Sequence, residues 1–320
     1  MTNVKRYKPG IGKTIGLIGV PLGFGAETRG AELGVSAIKI ANFRGNNLVG
    51  HIEQLGYEIE NYGNLEIAEP DYEPRSEENP RFLAEISESL IGLADVVKAT
   101  LNKGQMPLII GGDHSIATGS IAGISSYFRS IGEDFGLLWF DAHADINTPE
   151  TSPSGNVHGM PLAASLGRGA PQLVQLEGFA PKINPKYFAH IGARDLDLGE
   201  KLTVSDFGLR EQFFTMSDID RIGMLECIRR SLEIVSKASG GFGVTFDIDV
   251  IDPRFAPGSG TLVRGGITFR EAHLALELLA EAGGMRSFEI VEVNPVLDRS
   301  NITAKLAGEL ILSALGNTIL

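Results

Sequence analysis

Apolar residues follow two rhythms along this chain. Short, nearly unbroken apolar runs alternate with longer stretches in which apolar residues recur every three or four positions. The short runs predict strands at Thr14–Val20, 57–61, 107–111, 135–141, 187–192, Phe242–Asp247 and 288–293. Runs that are apolar on both sides of the pleat suit a parallel sheet covered on both faces. The longer stretches predict helices at 80–103, 217–238 and 268–282. In the first, Phe82, Ile86, Leu90, Leu93 and Val97 share one face and Gly104 supplies the stop. Alternation of this kind predicts an α/β fold with a mainly parallel sheet. No linker divides residues 1–320, so a single domain is expected. The acidic, proline-bearing segment 66–81 and the Pro/Gly/Ser-rich segment 149–161 read as loops. The second follows a strand end, where ligand sites of α/β folds gather. The glycines of GVPLGFGAETRG have neither GxGxxG nor Walker spacing, so no nucleotide site is expected there.

Composition narrows the function. The 320 residues are 43% hydrophobic and 21% charged, as in ordinary globular proteins. Lys plus Arg is 28 against 40 for Asp plus Glu, a net charge of -12. That balance argues against nucleic acid and against an anionic membrane surface as partners. No apolar run approaches the roughly 18 residues needed to cross a bilayer. The start, MTNVKRYKPGIGKT, has no apolar core of a signal peptide. The single cysteine, Cys227, sits in a helical pattern and reads as a buried, inert thiol. A cytoplasmic location is expected.

Four polar clusters interrupt the apolar pattern, each at the end of a predicted strand: GGDHS at 111–115, DAHAD at 141–145, DIDVIDP at 247–253 and EVNP at 292–295. Carboxyl ends of parallel strands share one edge, so the clusters can meet in one cleft. Asp141, His143 and Asp145 stand at i, i+2, i+4, and Asp247 and Asp249 at i, i+2. An extended backbone would point each set one way. With His114 the set is two imidazoles and four carboxylates. So many carboxylates in one cleft repel unless cations neutralise them. Oxygen-rich ligands with imidazole and no thiolate suit Mn²⁺ or a similar ion, and six ligands suit two ions bridged by Asp141 and Asp247. DxHxD alone is weak, and a single His or Asp at a strand end is more often a cap; the four clusters together carry the reading. Of the other histidines, His190 reads as a satisfied core residue, and His51 and His273 as helix-surface residues. There is no GxSxG elbow for a nucleophilic serine and no HExxH for a zinc protease.

These motifs, with GVPLGFGAETRGAELG near the start and TAKLAGELILSALG near the end, resemble the ureohydrolase superfamily and, within it, the arginase family. The resemblance covers nearly the whole chain. It implies a three-layer α/β/α sandwich on a central eight-stranded, mainly parallel sheet, and a homotrimer or homohexamer. It implies two Mn²⁺ per subunit, one held by His114, Asp141, Asp145 and Asp247, the other by Asp141, His143, Asp247 and Asp249. The activity implied is hydrolysis of L-arginine to L-ornithine and urea by a metal-bridging hydroxide. Loop 147–158 resembles the arginase loop in length and content, which implies that Asn147, Ser152 and Ser154 bind the α-carboxylate. Asp197 would receive the α-ammonium, with Glu200 acting through water. Neutral donors suit a carboxylate, and an acid suits an ammonium. Asp145 would orient the nucleophile and carry a proton. Glu292 would meet the guanidinium, Thr261 would add a hydroxyl contact, and His158 would shuttle protons at the mouth. Ser152 and Val35 depart from the usual Thr and Pro of the family, and neither removes a ligand. Rival readings are another ureohydrolase, acting on agmatine, guanidinobutyrate or formiminoglutamate, and a non-catalytic metal-binding homologue.

Overall fold

A computed structural model describes residues 13–70 and 79–319 of the chain. Most of the N-terminal segment and residues 71–78 of the acidic loop lie outside the described residues. Eight strands form one sheet: β1 (Thr14–Val20), β2 (Glu58–Asn64), β3 (Met106–Gly111), β4 (Gly136–Phe140), β5 (Phe188–Ile191), β6 (Phe213–Phe214), β7 (Phe242–Asp247) and β8 (Met285–Val291). Their order is β2-β1-β3-β8-β7-β4-β5-β6, and every neighbouring pair is parallel. The seven expected strands are present with end shifts. The eighth, β6, has two residues, too few to show a period.

The unbroken apolar runs are explained by the covering layers. Along β4, Leu138 and Phe140 enter one core, while Leu137 and Trp139 enter the other. Helices therefore pack on both faces, giving three layers. On one side, helix Leu83–Asn102 buries Ile86, Leu90, Leu93 and Val97 against helix Ala117–Ser130. A Cβ at Gly123 would lie 2.4 Å from the Ala94 carbonyl oxygen, so glycine permits that approach. On the other side, the helix expected over 217–238 is two helices, Met216–Ile222 and Met224–Val235, parted by Gly223 at φ 80°. Cys227 is buried in the second, and burial pushes its thiol up to about 11, consistent with an inert group.

Two histidines differ from expectation. His273 is buried, not on the surface. It stands with Ala272, Leu276 and Leu279 on the inward face of helix Phe269–Ala282, and its Nδ1 lies 2.8 Å from Ser313 Oγ. His190 is buried as expected, stacked on Phe213 with centroids 4.5 Å apart, but neither ring nitrogen has a hydrogen-bond partner. Burial holds it down at about 4. His51 is half-buried in helix Leu48–Gln54, with Nε2 2.7 Å from the Phe43 carbonyl oxygen.

His273 yields a pH test. Burial, then the charges of Arg270 and Arg44, lower its pKa to about 4 from the ordinary 6.5. Below pH 6.5 the unfolded chain takes up a proton that the folded chain refuses. This site's contribution to stability is therefore complete above pH 6.5 and is lost as the pH falls toward 4. In His273→Gln, denaturant melts across that window should show an uptake on unfolding smaller by up to about one proton than in the wild type. An unchanged pH slope would contradict this.

Candidate active site

The strands that end in the four polar clusters, β3, β8, β7 and β4, are consecutive in the sheet. Their loops leave one edge side by side, on the carboxyl side where α/β folds bind ligands.

His114 lies just past β3 in a single turn, His114–Ile116, which Asp113 caps by accepting from Ser115 N–H at 3.0 Å. The ring is fully buried and stacked on Trp139. Its Nε2 lies 2.9 Å from Thr245 Oγ1, and that hydroxyl donates to Glu289 Oε1 at 2.8 Å. The threonine proton is thus committed, so Nε2 is the protonated ring nitrogen and donates to Oγ1. In the neutral ring Nδ1 therefore carries a lone pair. It lies 2.9 Å from Asp145 Oδ2, 3.1 Å from Asp141 Oδ2 and 3.3 Å from Asp247 Oδ2, with no hydrogen-bond partner. A lone pair facing three carboxylate oxygens calls for a cation between them. Burial opposes a proton there, yet the three carboxylates raise His114 well above its ordinary value; a divalent ion meets the same demand.

A second group adjoins the first. His143 Nδ1 lies 3.1 Å from Asp249 Oδ2 and 3.4 Å from Asp141 Oδ1. Asp141 turns one oxygen to each histidine and so belongs to both groups. The donor atoms of His114, Asp141 and Asp145, and those of Asp141, His143 and Asp249, lie within 4.8 Å of one another, close enough to hold an ion in each group. Burial, followed by the charges of Asp249 and Asp141, raises Asp247; burial and then Asp141 raise Asp145 to about 7. Burial also disfavours the charge on Asp141, but the two imidazoles hold it well below the carboxylate range.

The convergence does not arise as the spacing suggested. β4 stops at Phe140, and Asp145 takes a left-handed φ of 51°. Asp141 and Asp145 turn to His114 while His143 turns to Asp249, so the three do not point one way. The bend is held by Glu200, whose Oε1 accepts from Ala144 N–H at 3.1 Å and Asp145 N–H at 3.0 Å. Asp247 caps a one-turn helix, Ile248–Val250, and Asp249 lies within that turn, so the pair does not sit on extended chain. Asp247 Oδ1 accepts from Asp249 N–H at 2.8 Å, and only Oδ2 faces His114.

The remaining expected residues fall in two places. His143, Asp145, Asp247, Asn147, Ser152, Ser154, His158, Asp197, Glu200 and Thr261 line one cleft of about 180 Å³. Two larger cavities hold neither candidate metal group. Glu292 lies beneath the cleft at a left-handed φ of 64°. Its Oε1 accepts from His114 N–H at 2.9 Å and lies 3.0 Å from His158 Nδ1. Burial opposes the charge on His158, but the bond to Glu292 raises it to about 9. Thr261 Oγ1 donates to Asp249 Oδ2 at 2.9 Å. Asn147 Nδ2 donates to Asp197 Oδ2 at 2.8 Å. Asp197 and Glu200 form a reciprocal capping box at the start of helix Leu198–Asp206. Burial raises Glu200 to about 7. The sequence reading missed Thr245 and Glu289. Their signal is a hydroxyl and a carboxylate inside otherwise apolar strands.

The family model described as "Arginase family" matches residues 13–316. The chain belongs to the arginase family. The arginase of Bacillus subtilis strain 168 is 44% identical over 311 residues, covering 96% of this chain and 99% of that protein. A crystal structure of a B. subtilis arginase superposes with a TM-score of 0.88 at 43% identity, covering 96% of this chain and all of the other. The Entamoeba histolytica arginase, solved in complex with L-ornithine, gives 0.85 at 31% identity, covering 96% of this chain and all of that one. Membership of the arginase family makes the chain a hydrolase and agrees with the three-layer, eight-stranded fold.

Proposed function

We propose that this chain hydrolyses L-arginine to L-ornithine and urea at a site for two divalent cations, with manganese as the metal. The observation that carries the reading is the pair of ligand groups sharing Asp141 at the floor of a cleft walled by Asn147, Ser152, Ser154 and Asp197. Relatives that carry the name arginase over nearly the full length support it, as does an L-ornithine complex among the similar structures. His114, Asp141, Asp145 and Asp247 would hold one ion; Asp141, His143 and Asp249, with Asp247, would hold the other. When bound, the ions supply Lewis acidity that makes water a nucleophile near neutral pH.

The chain's own residues do the rest. Asp145 is held by Glu200 with its carboxylate at the cleft, where it orients the attacking oxygen and moves its proton toward the leaving nitrogen. His158 engages Glu292 through Nδ1, which leaves Nε2 as the atom that gives and takes a proton. Glu292 supplies the negative charge under the guanidinium, and Thr261 adds a hydroxyl. Ser152 and Ser154 accept from Gly155 and Asn156 N–H, so their own hydroxyl protons remain for a carboxylate. Asn147 gives one amide proton to Asp197 and keeps the other. Asp197 retains acceptor capacity for an ammonium, and Glu200 stands beside it for a water-borne contact. The reading takes residues 1–320 as one catalytic domain, acting in the cytoplasm as a homotrimer or homohexamer.

Urea release by manganese-loaded protein should be seen with L-arginine and not with agmatine, which lacks the carboxylate. Release from agmatine alone would overturn the substrate assignment while keeping the metal site.

A further inference from the structure

Arg194 stands just past β5, outside the lining of the cleft. Its Nη2 donates to the carbonyl oxygens of Asp249 and Val263, both at 2.7 Å. Its Nη1 donates to those of Val250 at 3.1 Å and Gly192 at 3.4 Å. Its own N–H donates to the Ala142 carbonyl at 2.8 Å. One residue thus ties together the three segments that carry His143, Asp249 and Thr261. A planar guanidinium can serve four carbonyls from two nitrogens, which an ammonium cannot. Burial disfavours the charge there, while Asp249, Asp141, Asp252 and Asp247 favour it. Room for the fork comes from Gly266, where a Cβ would lie 2.7 Å from Arg194 Nη2 and 2.6 Å from the Val250 carbonyl oxygen.

The Asp249 carboxylate is correspondingly fixed on all sides. Oδ1 accepts from Ala142 N–H at 3.1 Å, and Oδ2 serves both His143 Nδ1 and Thr261 Oγ1. Each of those partners belongs to a segment that Arg194 holds. Among the described residues, the hydrogen bonds of Arg194 go to those backbone carbonyls and none to His114, Asp145 or Asp247. We propose that Arg194 is a positioning residue for the ion held by Asp141, His143 and Asp249, and sets Thr261 beside it; this rests on the two-cation reading.

The test uses the full chain, stripped of metal and titrated with Mn²⁺ by calorimetry. Electron paramagnetic resonance, thermal melting and L-arginine kinetics run in parallel. Wild type should bind two ions and give the spectrum of a spin-coupled pair. Arg194→Gln should keep one ion and weaken the other by at least about tenfold, the loss typical of a partner outside the ligand shell. Its spectrum should become that of an isolated ion, and kcat should fall more than KM rises. Arg194→Lys should recover part of each loss. If Arg194→Gln does not fold, Gly266→Ala disturbs the same fork without removing its charge and should show the same pattern. A folded variant with a lowered melting temperature but two ions at wild-type affinity would reduce Arg194 to a structural brace and overturn the proposal. Wild type that binds fewer than two ions would sink the two-cation reading, and the clamp's role with it. Two ions in wild type and in all variants alike would sink the clamp alone.

Discussion

Asp141→Asn should strip the protein of both ions and reduce urea release by more than about a thousandfold. Asp141 turns one oxygen to each of the two ligand groups. Oδ2 faces His114 and also accepts from Trp139 Nε1–H at 3.0 Å; Oδ1 faces His143 and accepts from His143 N–H at 2.7 Å. Asparagine keeps the shape and one oxygen. It loses the charge and turns a donor toward one imidazole. Loss of an outer partner of a ligand typically costs about 10- to 100-fold; loss of the shared ligand should exceed that. Metal content after desalting and kcat on folded protein check it. Two retained ions in Asp141→Asn would remove the residue from the centre of the site.

Asp197→Ser should raise KM for L-arginine about 10- to 100-fold and leave kcat nearly unchanged. The expected size follows from a hydrogen bond to a charged group, worth about 1.5–3 kcal/mol. Serine is chosen because Asp197 has a second task. It caps helix Leu198–Asp206 by accepting from Glu200 N–H at 2.8 Å, and serine preserves a cap where alanine would cost about 1 kcal/mol. The control substrate is 5-guanidinopentanoate, which keeps the guanidinium and carboxylate and lacks the α-amino group. Its KM should barely move. Equal losses on both substrates would take Asp197 out of ammonium recognition.

Much of this was legible in the sequence. The apolar runs located seven strands, because strands buried on both faces of a sheet carry few polar residues before their ends; β2, at the sheet edge, is partly exposed and mixed in polarity. The interruptions themselves marked His114, Asp141, Asp247 and Glu292 at neighbouring strand ends. What failed was local geometry. The i, i+2 spacing of Asp141, His143 and Asp145 implied an extended chain, but Glu200, 55 residues away, bends that segment by taking its N–H groups. Asp249 likewise reaches Ala142 across 107 residues. Such bonds between distant segments leave no periodic trace. His273 is different: its spacing from Leu276 and Ala280 matched the buried face of its helix, and its polarity masked that. The break at Gly223 was likewise present as a glycine inside a helical pattern.

Catalysis at this site should depend on bound metal, and one titration tests that dependence directly. Metal-free protein would be titrated with Mn²⁺ while bound ions and urea release from L-arginine are measured on the same samples. Activity should be absent without metal, rise with occupancy and level off at two ions per chain. Full activity in metal-free protein, or no urea at full occupancy, would contradict it.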